Sequence, residues 1–118
     1  MIVGSIKEDL SFEKRVSITP ETAKNIINLG LKVIIENNYA THIGILDKEY
    51  ETVGVEIKKS SKEVFNNCNL LAKVNCPSDN EISNLKDETI LIGMLNLSKN
   101  KVKINNILKK NIHIFSLE

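Results

Sequence analysis

Short β-branched runs alternate with helical patterns from one end of this chain to the other, and that alternation restricts the fold more than any other feature. Ile2 to Ile6 reads as a strand. Thr19-Pro20-Glu21 reads as a helix start: Thr caps, Pro takes the first turn where its missing N–H is harmless, and Glu favours the positive end of the dipole. Ala23, Ile26 and Ile27 then share a face, and Gly30 is the expected stop. Lys32 to Glu36 is the second strand. Asp47 is expected to cap a short helix with Tyr50 and Val53, closed by Gly54, before a brief third strand at Val55 to Ile57. Ser60 or Ser61 opens a helix carrying Val64 and Phe65, and Leu70 to Val74 is the fourth strand. Ser78 caps a helix with Ile82 and Leu85, and Thr89 to Met94 is the fifth strand. Ser98 is expected to begin a helix in which Ile104, Ile107 and Leu108 line up, and Ile112 to Phe115 is the last strand.

Regular strand–helix alternation implies right-handed crossovers and a mostly parallel sheet covered by helices on both faces. The expected fold is a flavodoxin-like α/β domain, a single unit over residues 1–118. The continuous apolar runs of the fourth and fifth strands predict burial on both sides. Ligands of such sheets sit at the carboxyl ends of the strands. That edge should hold Lys7 to Arg15 after the first strand, Lys73 to Pro77 after the fourth, and Asn96 after the fifth.

Composition narrows the function. At 42% apolar and 26% charged residues the chain suits a packed soluble domain and not a disordered one. A formal charge of +1 gives no electrostatic footprint for nucleic acid. No apolar run approaches the ~20 residues of a membrane helix, and no leader pattern precedes Ile2. Cys68 and Cys76 show neither a disulfide framework nor a zinc spacing and are expected to be free thiols.

The glycines are isolated, so neither G-x-G-x-x-G nor a Walker A loop is present to cradle phosphate. His113 lies inside the last strand and His42 in a loop, both read as structural. With two histidines and no paired cysteines, no metal site is expected. Arg15 is the one arginine among sixteen basic residues. Either that is chance, or it stands where a planar bidentate guanidinium is needed and lysine cannot serve. Lys73, near the end of a buried strand, faces either the ligand edge or a compensating carboxylate, because an unpaired buried ammonium would lose its proton. Two cations meeting at that edge could receive a carboxylate or a phosphate.

These residues resemble a known pattern. Lys7-Glu8, then Glu13-Lys14-Arg15-Val16-Ser17-Ile18-Thr19-Pro20, is similar to the K-E … E-x-R-V-x-x-T-P opening of the alanine dehydrogenase and nicotinamide nucleotide transhydrogenase family. Glu36, the segment Ala40 to Gly44, Tyr50 with its helix, Val55-Glu56-Ile57 and Lys73-Val74-Asn75-Cys76-Pro77 follow in the order that the family would place them. The resemblance covers essentially the whole chain. Dehydrogenases of the family carry a catalytic histidine after the fifth strand, in a stretch like Y-L-H-L. Here that stretch is Met94-Leu95-Asn96-Leu97, and an asparagine cannot shuttle a proton.

The resemblance therefore implies the N-terminal domain of a transhydrogenase alpha subunit. NAD and NADP would be the cofactors of the full enzyme, and none is expected bound to this chain alone. The implied partners are the rest of the alpha subunit with its NAD domain, the NADP-binding and membrane domains, and a second copy in a homodimer. The implied location is the cytoplasmic side of a bacterial inner membrane, with this chain itself soluble. The family's Rossmann domain would follow Glu118, which makes this chain a fragment by expectation. Arg15, Lys73 and Asn96 are the candidate cleft residues. In the dehydrogenase relatives the residues matching Arg15 and Lys73 hold a substrate carboxylate. The alternatives are the N-terminal domain of an alanine or saccharopine dehydrogenase-like enzyme, and a stand-alone α/β regulatory module. Glu8-Asp9 would give the latter an acidic pair, but Ile57-Lys58 offers no aspartate to phosphorylate.

Overall fold

The computed structural model describes residues 1–117. Six strands, β1 (Ile2–Ser5), β2 (Lys32–Glu36), β3 (Glu56–Lys58), β4 (Leu70–Ala72), β5 (Ile90–Gly93) and β6 (His113–Ser116), alternate with five helices. The helices are α1 (Pro20–Asn28), α2 (Asp47–Thr52), α3 (Ser61–Asn67), α4 (Asp79–Asn84) and α5 (Lys101–Leu108), with one 3-10 turn at Thr41–Ile43. All pairings are parallel and the strand order is β3-β2-β1-β4-β5-β6. Without the three-residue outer strand β3, the remaining five follow the flavodoxin-type order.

Most helix starts are set as the sequence predicts. Thr19 Oγ1 accepts the Thr22 N–H at 3.2 Å with Pro20 in the first turn. Ser78 accepts the Glu81 N–H while Glu81 Oε1 accepts the Ser78 N–H, a closed capping box. Of the two serines considered for α3, Ser60 is the cap. Two expected caps fall elsewhere. Leu46 precedes α2, and Asp47 is its first residue. The Asp47 carboxylate instead accepts the Asn38 N–H at 2.9 Å and so ties down the preceding turn. Ser98 lies in a turn, and α5 starts after Asn100. In α5 Ile107 is fully buried but Leu108 is 60% exposed, so the expected three-residue stripe is only two residues wide.

Side chains on alternate sides of the strands build two cores. On one face Val3, Val33 and Ile35 pack with Ala23, Tyr39, Tyr50 and Val55 under α1 and α2. On the other, Ile34, Leu71 and Leu91 pack with Val64, Phe65, Ile82 and Ile107 under α3, α4 and α5. The sheet runs outward from β1 in both directions, toward β3 and toward β6. Right-handed crossovers therefore place α1 and α2 on one face and α4 and α5 on the other. This leaves a corner of the α1 face over β4–β6 uncovered. Ala72, Ile90 and Ile92 are only partly buried there, and Phe115 is exposed. The expectation that the fifth strand is buried on both sides is corrected accordingly: Leu91 is sealed, and its neighbours Ile90 and Ile92 are not.

The long loop from β1 to α1 is pinned by Tyr39. Its buried hydroxyl accepts the Ser17 and Ile18 N–H groups at 3.0 and 3.2 Å and meets Ser5 Oγ at 2.7 Å. Burial raises the Tyr39 pKa. Ser5 in turn donates to the Ala72 carbonyl at 2.6 Å, which links the loop to the end of β4. Tyr50 donates to the Ile18 carbonyl at 2.7 Å and meets the Tyr39 ring edge-on, with centroids 5.7 Å apart.

Candidate functional site

Loops after β1, β4 and β5 converge at the carboxyl edge and frame two clefts. One, of about 360 Å³, is lined by Lys7, Asp9, Phe12, Lys73, Cys76 and Lys103, among others. The other, of about 370 Å³, lies over the uncovered corner of the sheet, between Arg15–Ser17, Ala72–Val74 and Ile92–Met94.

Lys73 follows β4 directly, and its backbone still pairs with β5 through Ile92 O at 3.0 Å. Its side chain is 5% exposed, with Nζ 3.6 Å from Glu8 Oε1 and 3.5 Å from Glu81 Oε1. Of the two readings that the sequence leaves open, the structure places a compensating carboxylate on each side. Glu8 is wholly buried and also accepts the Val74 and Asn75 N–H groups at 2.9 and 3.2 Å. One carboxylate thus clamps the loop after β1 to the loop after β4. Gly93 makes the close approach of β5 possible, since a Cβ there would stand 1.9 Å from the Lys73 carbonyl oxygen.

Arg15 is exposed, and its guanidinium is held by Glu13. Nε and Nη2 each donate to a Glu13 oxygen at 2.8 Å, and the Arg15 backbone N–H donates at 3.0 Å. The two-residue spacing of E-x-R lets one carboxylate grip both backbone and side chain. The hydrogen bond from the Arg15 side chain, chiefly, lowers the Glu13 pKa to about 2. Asn75 Nδ2 donates to Glu13 Oε1 at 3.4 Å, so Asn75 joins the Arg15 pair to the Lys73 cluster. The expected pair of open cations is corrected on this point: each carries its own carboxylate before any ligand arrives.

Asn96 follows β5 with a positive φ of 48°, and its carbonyl accepts the Asn100 side-chain amide at 3.1 Å. It lines neither of the two clefts. The histidines lie apart from them as well. His42 Nε2 meets the Lys14 carbonyl at 2.8 Å, and His113 sits 3.8 Å from Glu88. Cys68 is buried, which pushes its thiol up to about 11, and both cysteines are free. Among the described residues no cluster of His, Cys, Asp and Glu could hold a metal, and no helix is long and apolar enough to cross a membrane.

A dinucleotide's phosphates find no cradle here. Gly4 and Gly93 make room for α3 and for the Lys73 carbonyl, and neither opens a helix. The site residues of this chain fit the wall of a cleft and do not fit the pyrophosphate of NAD.

The family model described as "Alanine dehydrogenase/PNT, N-terminal domain" matches residues 4–118. The chain belongs to this family. It is 32% identical over 123 residues to an NAD(P) transhydrogenase subunit alpha of Rickettsia prowazekii (strain Madrid E), covering all of this chain and 32% of that protein. It is 34% identical over 112 residues to an alanine dehydrogenase of Methanococcus maripaludis, covering 95% of this chain and 30% of that protein. A transhydrogenase structure from Sinorhizobium meliloti superposes with a TM-score of 0.91 at 26% identity, over 98% of this chain and 34% of that one. An L-alanine dehydrogenase structure shares the fold at a TM-score of 0.92 and 22% identity, over 98% of this chain and 32% of that one. The chain therefore spans about a third of the length of its relatives. Relatives with the two kinds of name are similar to it at nearly equal identity, so overall similarity does not separate the two activities.

The carboxylates are the site residues that sequence reasoning misses. Glu13 enters it only within a motif, Glu8 as half of an acidic pair, and Glu81 as a helix-start residue. The one legible signal is the two-residue spacing of Glu13 and Arg15.

Proposed function

We propose that this chain is the N-terminal domain of the NAD(H)-binding component of a proton-translocating NAD(P) transhydrogenase, which passes hydride between NAD(H) and NADP(H). The observation that carries this reading is the absence, among the described residues, of a proton-shuttling histidine at the clefts. Asn96 takes the place after β5, and His42 and His113 hydrogen-bond or ion-pair elsewhere. Oxidative deamination needs a group that takes and returns a proton near neutral pH. Hydride transfer between two nicotinamides does not need one. By this reading the dinucleotide is held by a separate domain, and this chain supplies one wall of the cleft and part of a homodimer. The NADP-binding and membrane domains are the further partners, at the cytoplasmic face of a membrane.

The test uses the full-length alpha subunit combined with its NADP-binding partner. The expected result is NADH-dependent reduction of an NADP analogue, with no alanine-dependent formation of NADH. Alanine-dependent NADH formation by the full-length protein would assign it to the dehydrogenases instead.

A further inference from the structure

A guanidinium has two hydrogen-bonding edges, and Arg15 uses only one on its own chain. Nε and Nη2 are fixed by Glu13, which locks the plane of the group. The remaining edge is Nη1 with the second Nη2 hydrogen. Nη1 lies 3.9 Å from the sulfur of Met94, and both residues line the second cleft. Ser17 lines the same cleft, and its buried Oγ has no hydrogen-bond partner among the described residues. The rest of the lining, including Val16, Ala72 and Ile92, is largely apolar.

The charges of the cluster nearly cancel. Arg15 and Lys73 give +2, while Glu8, Glu13 and Glu81 give −3, a sum of −1. We propose that this cleft is a carboxamide subsite, which takes a neutral planar amide in preference to a carboxylate of the same shape. An anion at the free edge of Arg15 meets the field of Glu13 and its neighbours, so most of its Coulomb gain is lost. It still gives up its hydration against an apolar lining. A carboxamide gives up less. Its oxygen can accept from the free edge of Arg15, and its amino group can donate to Ser17 Oγ, which a carboxylate cannot do.

This inference rests on the function proposed above in choosing nicotinamide as the ring. The preference for amide over carboxylate stands on the cleft alone. Arg15 is the only arginine, so its Nε–H gives a single, self-assigned resonance in a ¹⁵N-labelled chain. That resonance and the Ser17 amide are followed during titration with nicotinamide and, separately, with nicotinate, at a slightly acid pH where nicotinate is ionised. Nicotinamide is expected to shift both saturably, about fivefold more tightly than nicotinate, the factor carried by one nearby charge in water. In Glu13→Gln the cluster becomes neutral, and the preference should shrink or invert while the amide spectrum stays dispersed. Nicotinate binding as tightly as nicotinamide overturns the proposal, and so does the absence of a saturable nicotinamide shift. The readout involves neither a dinucleotide nor a second domain, so its failure leaves the hydride-transfer reading standing.

Discussion

Replacing Lys73 by methionine keeps the length of the side chain and removes its charge. Glu8 would then be a carboxylate with no exposed side-chain surface and no cation, and Glu81 would lose a partner 3.5 Å away. Breaking a buried pair from one side costs about 3–5 kcal/mol. Two features push the cost to the low end. Glu8 keeps the Val74 and Asn75 N–H groups, and Glu81 keeps the Ser78 N–H and some contact with water. The expected loss is about 3 kcal/mol, out of the ~5–15 kcal/mol that holds a domain of this kind together. At this chain length that lowers the melting temperature by roughly 12 °C. Urea unfolding followed by far-ultraviolet circular dichroism measures it directly. The control is Glu8→Gln, alone and combined with Lys73→Met. Because the partners are in contact, the double variant should be less destabilised than the sum of the singles, by about 1–2 kcal/mol. Lys73→Met within about 0.5 kcal/mol of the wild type would show that the ammonium is not holding these carboxylates, and the account of the clamp would fail.

Three further outcomes follow from the same structure. Thr19→Ala removes the cap of α1 and should cost about 1 kcal/mol in the same urea assay. Tyr39→Phe strands the Ser17 and Ile18 N–H groups and should cost about 2–3 kcal/mol, whereas Tyr50→Phe, which loses one donor to Ile18 O, should cost about 1 kcal/mol. The Glu13 carboxyl titrates at about 2 in the folded chain against an ordinary 4.5, so its ionised form favours folding. That contribution is complete above pH 4.5 and disappears as pH falls toward about 2. The stability gap between wild type and Glu13→Gln, measured by melting at stepped pH, should close over that window; a gap of constant size would refute the assignment.

The order of elements is legible in the sequence because each strand and helix announces itself locally. Thr19-Pro20 and Ser78 state their roles within four residues, and the β-branched runs need no tertiary context. Asp47 and Ser98 mislead for one reason. Both residue types serve as caps and as loop anchors, and only the fold shows that Asp47 is engaged by Asn38. The positions of Arg15 and Lys73 at the carboxyl edge are legible, since strand ends fix them. Their pairing is not. Glu8 and Lys73 are sixty-five positions apart, and nothing in a local pattern indicates that a carboxylate after β1 will meet an ammonium after β4. Asn96 does stand at the end of β5, but its left-handed backbone turns the loop so that it lines neither cleft.

The uncovered corner of the sheet and the location of the second cleft have one cause. Strand order reverses direction between β1 and β4, so the chain leaving β1 goes to one face and the chain leaving β4 goes to the other. The β1–α1 loop must therefore cross the carboxyl edge at this point, and Tyr39, Ser5 and Glu8 pin it there to β2 and β4. One side of the crossing is filled by α4 and α5, which gives the cleft next to Lys7, Lys73 and Lys103 a helical wall. On the other side no crossover helix can lie over β4–β6. The loop itself, through Arg15, Val16 and Ser17, becomes the rim of a cleft floored by Ala72 and Ile92. A charge placed on such a rim needs a partner on its own segment, because the sheet floor offers none. The spacing of Glu13 and Arg15 supplies that partner, and it makes the guanidinium rigid enough to present a single free edge.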